Sequence, residues 1–392
     1  MLQALEGSQA VAQAVALCRP QVIAAYPITP QTHIVENISK LVADGQLNCE
    51  FVSVESEFSA ASVVLGAAMA GSRAYTASAS QGILLMAEVL FNISGMRVPL
   101  VLTCANRAVS SPLSIWNDQQ DSMSVRDAGW IQLYCADNQE AVDTTIQAFK
   151  IAEATELPVM VCMDGFTLTH TLEGIDIPTQ EQVDQFLPEF KFSRTLDPRN
   201  PISVGTLISP DHYSEARHSH HQALLNAQAD ILAMDQEWAK ISGRESGGLV
   251  TTYGDDDAKI GILVIGSVFG TLKAALVDAP PNEEPVKLIK LRSFRPFPVE
   301  AIREACQGLD NLIVLERALS PGGGGIVGIE VLSAITGMDK PPQLHNFTVG
   351  LGGRDIPLET LPRLLEKVRT NPTPNHFEIF DVELDRLPEE DR

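Results

Sequence analysis

The stretch from Glu50 to Gly82 constrains the fold more than any other part of the chain, because it has the pattern of a strand, a helix and a second strand. Phe51–Val54 is a short run rich in β-forming residues, and small apolar residues then recur at helical spacing. Strands that alternate with helices predict a mostly parallel sheet that is covered on both faces. We therefore expect an α/β fold.

The same alternation continues on both sides of that stretch and divides the chain into two units. A second α/β unit begins at Lys259, and the acidic run Gly254–Asp257 before it has the composition of a linker. We predict a first domain at residues 1–257, which includes an irregular segment at 166–257, and a second domain at residues 258–392 that ends in an acidic tail.

The composition disfavours several classes of function. Acidic residues outnumber Lys and Arg by 50 to 28 and give a net charge of −22, which argues against a nucleic-acid-binding surface. No apolar run approaches the length of a membrane span and the first residues lack the features of a signal peptide, so we expect a cytoplasmic protein. The six cysteines stand singly without a C-x-x-C pair, which predicts reduced core residues rather than cluster or zinc ligands.

Polar segments follow four of the predicted strands, at the edge of the sheet where ligands gather in folds of this class. These segments are Tyr26–Pro30, Glu57, Ser78–Gly82 and Asn106–Arg107. Neither G-x-G-x-x-G nor G-x-x-x-x-G-K-[ST] occurs at these corners, so dinucleotide and nucleoside triphosphate sites of the usual kind lose support. The convergence of the four segments predicts a ligand site of another kind.

Glu57 admits two interpretations. An acid in the first turn of a helix is favoured by the free N–H groups and by the helix dipole, and Ser56 is placed to be the N-cap. The helix behind Glu57 is almost entirely small and apolar, which predicts a buried corner, and buried acids are often functional. The residues of this stretch, taken alone, favour the structural interpretation.

Two other features each have a structural and a functional interpretation. His218, His220 and His221 lie on a predicted helix, where a solvated face is favoured over a metal site because three ligands from one helix seldom surround a metal. The four glycines at Gly322–Gly325 precede a helix and would allow an anion or a backbone to approach closely. A flexible turn at a domain or subunit contact explains them equally well.

Seven segments of the chain carry a resemblance to one family: AAYPITPQT (24–32), VESEFSA (54–60), TASASQGILLM (76–86), ANRAVSSPLSIWNDQQDSM (105–123), RDAGWIQLY (126–134), CMDGF (162–166) and FRPFP (294–298). Together they resemble the 2-oxoacid:ferredoxin oxidoreductases, and within that family the α subunit of the multi-subunit pyruvate enzymes. Their order and spacing hold across nearly the whole chain, except at residues 174–257.

The resemblance implies a thiamine-diphosphate-binding fold, with a pyrimidine-type domain followed by a transketolase C-terminal-like α/β domain. It also implies that thiamine pyrophosphate is the cofactor and that it is shared with a partner subunit. Mg²⁺ and [4Fe-4S] clusters are expected on partner subunits and not on this chain. The sequence agrees with that division, since it has no G-D-G motif and no cysteine quartet.

The resemblance also implies which residues of this chain meet the cofactor. Glu57 is expected to hydrogen-bond a ring nitrogen of the aminopyrimidine, a role that needs a carboxyl group able to share a proton. Ser80, Gln81 and Gly82 are expected to bind the cofactor beside it. Glu55 lies on the strand side of the same corner and is interpreted as structural.

Arg107 and Thr29 match the residues that hold the carboxylate of the 2-oxoacid in this family. A guanidinium fork pairs well with a carboxylate, and a hydroxyl at a strand end adds a further donor. A threonine at position 29 differs from the basic residue of the oxalate-specific relatives. Asn117 is expected to lie near the same substrate. With Glu57, Arg107 and Thr29 form the predicted catalytic set.

The expected function is that of one subunit of a heteromeric enzyme that converts pyruvate and coenzyme A into acetyl-CoA and CO₂ while it reduces ferredoxin, in a reversible reaction. Its partners would be β-, γ- and δ-type subunits, assembled as a dimer of heteromers. The alternatives are the same chemistry on 2-oxoglutarate or a branched-chain 2-oxoacid, a transketolase-like transfer, and a non-catalytic scaffold subunit. The joint presence of Glu57, Arg107 and Thr29 speaks against the scaffold.

Overall fold

A computed structural model describes residues 2–279, 284–371, 373–374 and 376–392. The strands are β1 Leu2–Glu6, β2 Val22–Ala25, β3 Glu50–Ser53, β4 Ala74–Ser78, β5 Val101–Asn106, β6 Ile131–Tyr134, β7 Val159–Asp164, β8 Leu172–Asp176, β9 Val250–Gly254, β10 Ile260–Val264, β11 Val286–Leu291, β12 Ser293–Arg295, β13 Asn311–Glu316, β14 Gln343–Thr348 and β15 Glu378–Ile379. The helices are α1 Gly7–Leu17, α2 Thr32–Ala43, α3 Glu57–Met69, α4 Ser80–Gly95, α5 Gln120–Ser124, α6 Asn138–Thr155, α7 Gln180–Phe186, α8 Pro210–Ser242, α9 Val268–Val277, α10 Val299–Ala305, α11 Ile326–Ile335 and α12 Thr360–Thr370. Strands and helices alternate along most of the chain, which confirms the α/β class.

The first sheet has the order β12-β6-β7-β5-β4-β2-β3. Its strands pair in parallel, except that β12 runs antiparallel to β6. The sequence predicted six of these strands within one or two residues at each end. It did not predict β12, because a strand of three residues has no periodicity to detect.

The second sheet has the order β15-β14-β13-β10-β11-β9. Here β9 runs antiparallel to β11, and the other pairs are parallel. Gly254, which the composition assigned to a linker, is the last residue of β9. Thus β9 precedes residue 258 in the chain and lies in the second sheet, whereas β12 follows that residue and lies in the first. The division of the chain after residue 257 remains a prediction.

One hydrophobic core cluster joins the two sheets. It contains Leu102 of β5 together with Leu263 of β10 and Ile289 of β11. The helix α3 contributes alanines to the same cluster, including Ala60 and Ala61, as its small apolar sequence predicts. Small side chains let helix and sheet backbones approach closely, so the corner where α3 begins is buried.

Several smaller predictions can be compared with the structure. The six cysteines are free thiols; Cys49 is partly buried and the other five are fully buried. The solvated-face interpretation was wrong for His220, which is only 6% exposed, although His218 and His221 are exposed. Within the described ranges, no helix combines the length and apolar character that crossing a membrane requires.

Candidate active site at the strand ends

Five segments that carry polar side chains follow parallel strands of the first sheet and meet at its carboxyl edge. Four of them follow β2, β3, β4 and β5 and contain Thr29, Glu57, Ser80 and Arg107, and the fifth begins with Asp164 at the end of β7. Because these strands are parallel and hydrogen-bonded side by side, their carboxyl ends lie along one edge of the sheet. The structure therefore brings together the strand-end segments that the sequence predicted to form a site.

Glu57 is the first residue of α3, and its side chain is buried. Ser56 is the N-cap, and its hydroxyl accepts a hydrogen bond from the backbone N–H of Ser59 at 3.2 Å. Glu57 itself is 7% exposed. Both the predicted cap and the predicted burial are confirmed. The cap leaves the Glu57 carboxyl free to serve another partner, because Ser56 already satisfies an open N–H of the first turn.

Gly82 makes room for the carboxyl group of Glu57. A β-carbon added to Gly82 would lie 2.8 Å from Glu57 Oε1 and would also collide with the hydroxyl of Ser78. The close approach therefore requires glycine at this position. Two predicted cofactor-site residues, Glu57 and Gly82, are thus in direct contact across the corner between α3 and α4.

Unsatisfied polar atoms surround this contact. Ser78 Oγ and Gln81 Nε2 are buried and have no hydrogen-bond partner among the described residues. Leaving a buried polar atom unpaired is costly, so such atoms often mark a place where a ligand or water completes the site. The aminopyrimidine of thiamine pyrophosphate carries ring nitrogens and an amino group, and it fits a site that offers a carboxyl, a hydroxyl and an amide.

Asp121 holds the strand-end loops together, and the sequence reasoning missed it. Its carboxylate accepts hydrogen bonds from Ser80 N at 2.8 Å, Arg107 N at 2.9 Å and Asn106 Nδ2 at 2.8 Å. Burial raises the pKa of Asp121, whereas these N–H donors favour its charged form. Asp121 stands within a polar run between two apolar strands, and that run is the only sequence signal for it.

Ser80 adopts a backbone conformation that is uncommon for a residue with a side chain. Its φ is +49°, and its hydroxyl contacts Ala108 O and Gln81 Oε1. The hydrogen bond from its backbone N–H to Asp121 helps to hold this conformation. Residues held in such conformations by their surroundings cluster at functional sites. The position of Ser80 beside Gln81 and Gly82 agrees with that tendency.

Arg107 is oriented by backbone carbonyls. Its Nη1 donates to Thr29 O at 3.0 Å and its Nε donates to Ser114 O at 3.0 Å. Burial lowers the pKa of Arg107, but a guanidinium keeps its charge at neutral pH. Nη2 has no partner in the described part of the chain. Arg107 and Thr29 are therefore adjacent, as predicted, although the contact uses the Thr29 carbonyl.

Asn117 lies on the same side of the site. The loop that carries it is joined to Arg107 through the hydrogen bond from Ala108 N to Trp116 O at 3.0 Å. Its Nδ2 donates weakly to Thr167 Oγ1 at 3.4 Å, and its Oδ1 is buried without a partner in the described residues. Asn117 therefore has an acceptor to offer to a ligand.

Asp164, which ends β7, links the site to the second unit. Its carboxylate accepts from Gln119 Nε2 at 3.0 Å and from the backbone N–H of Ser267 at 2.9 Å. Arg317 Nη1 lies 3.6 Å from the same carboxylate. Sequence reasoning missed these contacts because the residues come from distant parts of the chain. Through these contacts Asp164 joins the carboxyl end of β7 to residues of the second unit, namely Ser267 and Arg317.

The fold and this site define a class of protein: an α/β chain of the thiamine-diphosphate-binding type, with a buried acid and a buried arginine at the carboxyl ends of its parallel strands. The family described as pyruvate flavodoxin/ferredoxin oxidoreductase, thiamine diP-binding, matches residues 13–236, and pyruvate:ferredoxin oxidoreductase core domain II matches residues 258–361. The chain belongs to the pyruvate flavodoxin/ferredoxin oxidoreductase family.

Similar proteins support the same family. Pyruvate synthase subunit PorA of Methanosarcina barkeri is 47% identical, over 93% of this chain and 92% of its own length. The PorA subunit of Methanocaldococcus jannaschii is 44% identical over 94% and 95%. The ketoisovalerate oxidoreductase subunit VorA of Pyrococcus abyssi is 39% identical over 93% of each chain.

A solved structure has the same fold. It is 2-oxoglutarate:ferredoxin oxidoreductase from Magnetococcus marinus, solved with 2-oxoglutarate, coenzyme A and succinyl-CoA bound. The TM-score is 0.69 at 19% sequence identity, and the match covers 93% of this chain. The present chain spans 65% of the length of that longer chain.

Proposed function

We propose that this chain is the pyrimidine-binding subunit of a heteromeric pyruvate:ferredoxin oxidoreductase. The enzyme converts pyruvate and coenzyme A into acetyl-CoA and CO₂ and passes the electrons to ferredoxin, and the reaction is reversible. The observation that carries this proposal is the buried carboxyl of Glu57 against Gly82, on the same sheet edge as Arg107. The family membership and the PorA relatives, at 44–47% identity, support it.

Each residue of the site has a defined task. Thiamine pyrophosphate, when bound, supplies an electron sink for decarboxylation. Glu57 would hold the aminopyrimidine of the bound cofactor, by sharing a proton at its carboxyl oxygens with a ring nitrogen. Gly82 leaves the space for that contact. Asp121 accepts hydrogen bonds from the backbone N–H groups of Ser80 and Arg107. It thereby holds the proposed cofactor-binding residues at 80–82 in a constant position relative to the proposed substrate-binding Arg107.

Arg107 binds the carboxylate of the 2-oxoacid in this proposal, with Thr29 and Asn117 beside it. Among the described residues Nη2 of Arg107 has no hydrogen-bond partner, which supports a carboxylate ligand at this place. The second candidate substrate is a branched-chain 2-oxoacid, which the likeness to the VorA subunit favours. Both substrates present the same carboxylate, so the choice between them lies with the groups that meet the rest of the molecule.

Partner subunits complete the site. The paired helices α3 and α4, whose first turns carry Glu57 and Gly82, also carry exposed large apolar side chains, namely Phe58, Leu84, Leu85 and Phe91. Exposed apolar patches of this kind mark protein interfaces. We infer that a β-type subunit covers this face and holds the diphosphate and its Mg²⁺. The scattered, mostly buried cysteines support iron–sulfur clusters on γ- and δ-type partners. A cytoplasmic location remains a prediction.

The test is Glu57→Gln in the co-expressed complex. Glutamine has nearly the same shape but cannot share a proton in the same way, so we expect pyruvate-dependent reduction of ferredoxin to fall about hundredfold or more. Glu55→Gln is the matched control, because Glu55 is exposed and its carboxylate accepts a hydrogen bond from Ser59 Oγ, at 2.7 Å, outside the buried corner. Gel filtration checks that both complexes assemble. Near-normal turnover of an assembled Glu57→Gln complex would contradict the proposal.

A further inference from the structure

A cleft separate from the candidate active site lies at the amino ends of the strands of the first sheet. Its volume is about 650 Å³, and it is bounded by the loop before β6, by α8 and by the helices α10 and α11 of the second unit. Gly129 and Trp130 line it and immediately precede β6, which runs parallel to β7. It is therefore remote from the carboxyl ends of the strands where Glu57 and Arg107 lie. Its size is in the usual range for small-molecule sites at domain boundaries.

The cleft is basic although the chain is strongly acidic. Four arginines and two carboxylates line it: Arg126, Arg217, Arg295, Arg303, Asp127 and Glu330. Arg295 is engaged by Glu330 at 2.6 Å, and Arg303 by Glu300 at 2.8 Å. By contrast, Arg217 has no ion pair among the described residues, and Arg126 donates only to the carbonyl of Met123. Two guanidinium groups are thus available to an anion.

A buried histidine adds an unsatisfied polar atom to this cleft. His220 lines it, is 6% exposed, and its Nε2 has no hydrogen-bond partner in the described part of the chain. Gly129, with φ +84°, leaves the space for the ring, since a β-carbon there would lie 2.8 Å from His220 Nε2. Burial, aided by the charge of Arg217, lowers the pKa of His220.

The same cleft has an apolar side. Leu224 and Leu225 of α8 face Pro296 and Phe297, which follow β12. A small inorganic ion would leave this surface and most of the volume empty. A single carboxylate would use only one of the two available guanidinium groups, whereas a phosphate or a chain of phosphates presents enough oxygens for both forks. An anion joined to a flat or apolar body uses all of these features.

We propose that this cleft binds an organic phosphate of nucleotide size. Arg126 and Arg217 hold the phosphate groups, and the apolar body packs between Leu224 and Phe297. The lining comes from both halves of the chain, so a bound ligand joins α8 to α10 and α11. The cleft lies at the amino ends of the strands, away from Glu57 and Arg107, and is therefore separate from the proposed catalytic site.

The test uses the assembled complex and a fluorescent N-methylanthraniloyl derivative of ADP as the probe. We expect saturable binding that unlabelled ADP displaces, that tripolyphosphate displaces more weakly, and that adenosine does not displace. Arg126→Gln combined with Arg217→Gln should weaken binding at least tenfold and leave turnover without the probe unchanged. The matched control is Arg199→Gln, because the Arg199 side chain is 90% exposed and lies outside the cleft.

Arg217 is exposed on α8, so Arg217→Gln alone serves if the double variant does not fold. Absence of saturable binding to the wild-type complex would overturn the proposal. So would equal affinity in the cleft variants and in Arg199→Gln. If the cleft variants prevent assembly and the wild-type complex does not bind the probe, the arginines serve a subunit contact, and the proposal is wrong.

Discussion

Arg107 is held in place by carbonyl oxygens, and this determines what its guanidinium group can do. The described residues give it no ion pair with a carboxylate, so its charge is not neutralised by a side chain within the site. A cation oriented in this way can form a charge-assisted pair with a ligand carboxylate. The orientation of the Arg107 side chain also depends on the forked shape of its guanidinium group, because Nε and Nη1 donate to two different carbonyl oxygens.

Replacing Arg107 by lysine is therefore predicted to impair substrate binding although the charge is kept. Lysine cannot reach both the Thr29 and Ser114 carbonyls and still present a donor to the substrate. We expect the KM for pyruvate to rise about tenfold or more, with a smaller change in kcat and with bound thiamine pyrophosphate retained. Steady-state kinetics and cofactor analysis of the purified complex measure this. An unchanged KM would remove Arg107 from the substrate site.

Asp118 gives the protein a defined pH dependence. Burial raises its pKa from 3.8 to about 6, while the backbone N–H groups of Gln120 and Gly352 partly oppose the shift. Between these two values the folded chain keeps the proton that the unfolded chain has lost. The contribution of Asp118 to the free energy of unfolding is therefore greatest below the lower value and is lost as the pH rises through the higher one.

We predict that Asp118→Asn removes this part of the pH dependence. A shift of this size corresponds to about 3 kcal/mol lost by the wild type between about pH 4 and pH 7, and asparagine does not titrate. Urea unfolding of both proteins at about pH 4.5 and pH 7.5 measures the difference between their pH dependences. Parallel pH dependences in the two proteins would show that Asp118 ionises normally in the fold.

At the scale of elements, α11 shows how the glycine-rich turn is used. The turn at Gly322–Gly325 precedes α11, and the anion at this helix start is the chain's own Glu316 carboxylate. It accepts hydrogen bonds from the backbone N–H groups of Ile326, Val327 and Gly328 at 2.7–2.9 Å. A β-carbon at Gly325 would collide with that carboxylate. The sequence predicted that an anion or a backbone could approach this turn closely. An anion does so, and it is the Glu316 side chain of the chain itself and not a ligand.

Glu316→Gln is predicted to lower the free energy of unfolding by about 2–4 kcal/mol. The amide group would place a donor against the open N–H groups of the first turn, and the charge that complements the helix dipole would be lost. Glu304→Gln on the exposed side of α10 is the control and should change stability by less than about 0.5 kcal/mol. Denaturant unfolding monitored by circular dichroism measures both. Equal stabilities would show that the carboxylate does not support the helix.

The sequence predicted the elements with strong periodicity and the site that their ends create. The alternation of strands and helices located β2 to β7, and a parallel sheet brings their carboxyl ends together. The sequence did not predict β1, β8 or β9, because antiparallel partners far apart in the chain leave no local signal. It also did not predict the short strands β12 and β15, or β14. Asp121 and Asp164 were missed for the same reason, since their partners are distant in sequence. The sequence predicted a solvated His220, because nothing near it in sequence shows that its ring packs into the space left by Gly129, in the loop before β6.

At the scale of the molecule, the two sheets are interlocked. The strand β12 follows the second sheet's β11 in the chain but pairs with β6 of the first sheet. Buried side chains of the same segment complete polar groups on α6. Lys290 Nζ donates to Glu140 Oε1 at 2.9 Å, and Arg292 Nη2 donates to Gln147 Oε1 at 2.8 Å. The two halves of the chain therefore share hydrogen bonds as well as a hydrophobic core.

A fragment ending at Asp257 is consequently predicted not to fold as a stable domain. It would expose the edge of β6 and the part of the shared hydrophobic core that Leu263, Ile289 and their neighbours cover. The whole chain should unfold in one cooperative transition, with circular dichroism and tryptophan fluorescence changing at the same urea concentration. Fluorescence reports the first unit here, because the three tryptophans, Trp116, Trp130 and Trp238, all precede residue 257. A soluble fragment with its own cooperative transition, or two separated transitions in the whole chain, would show that the halves fold independently and that the shared core adds little.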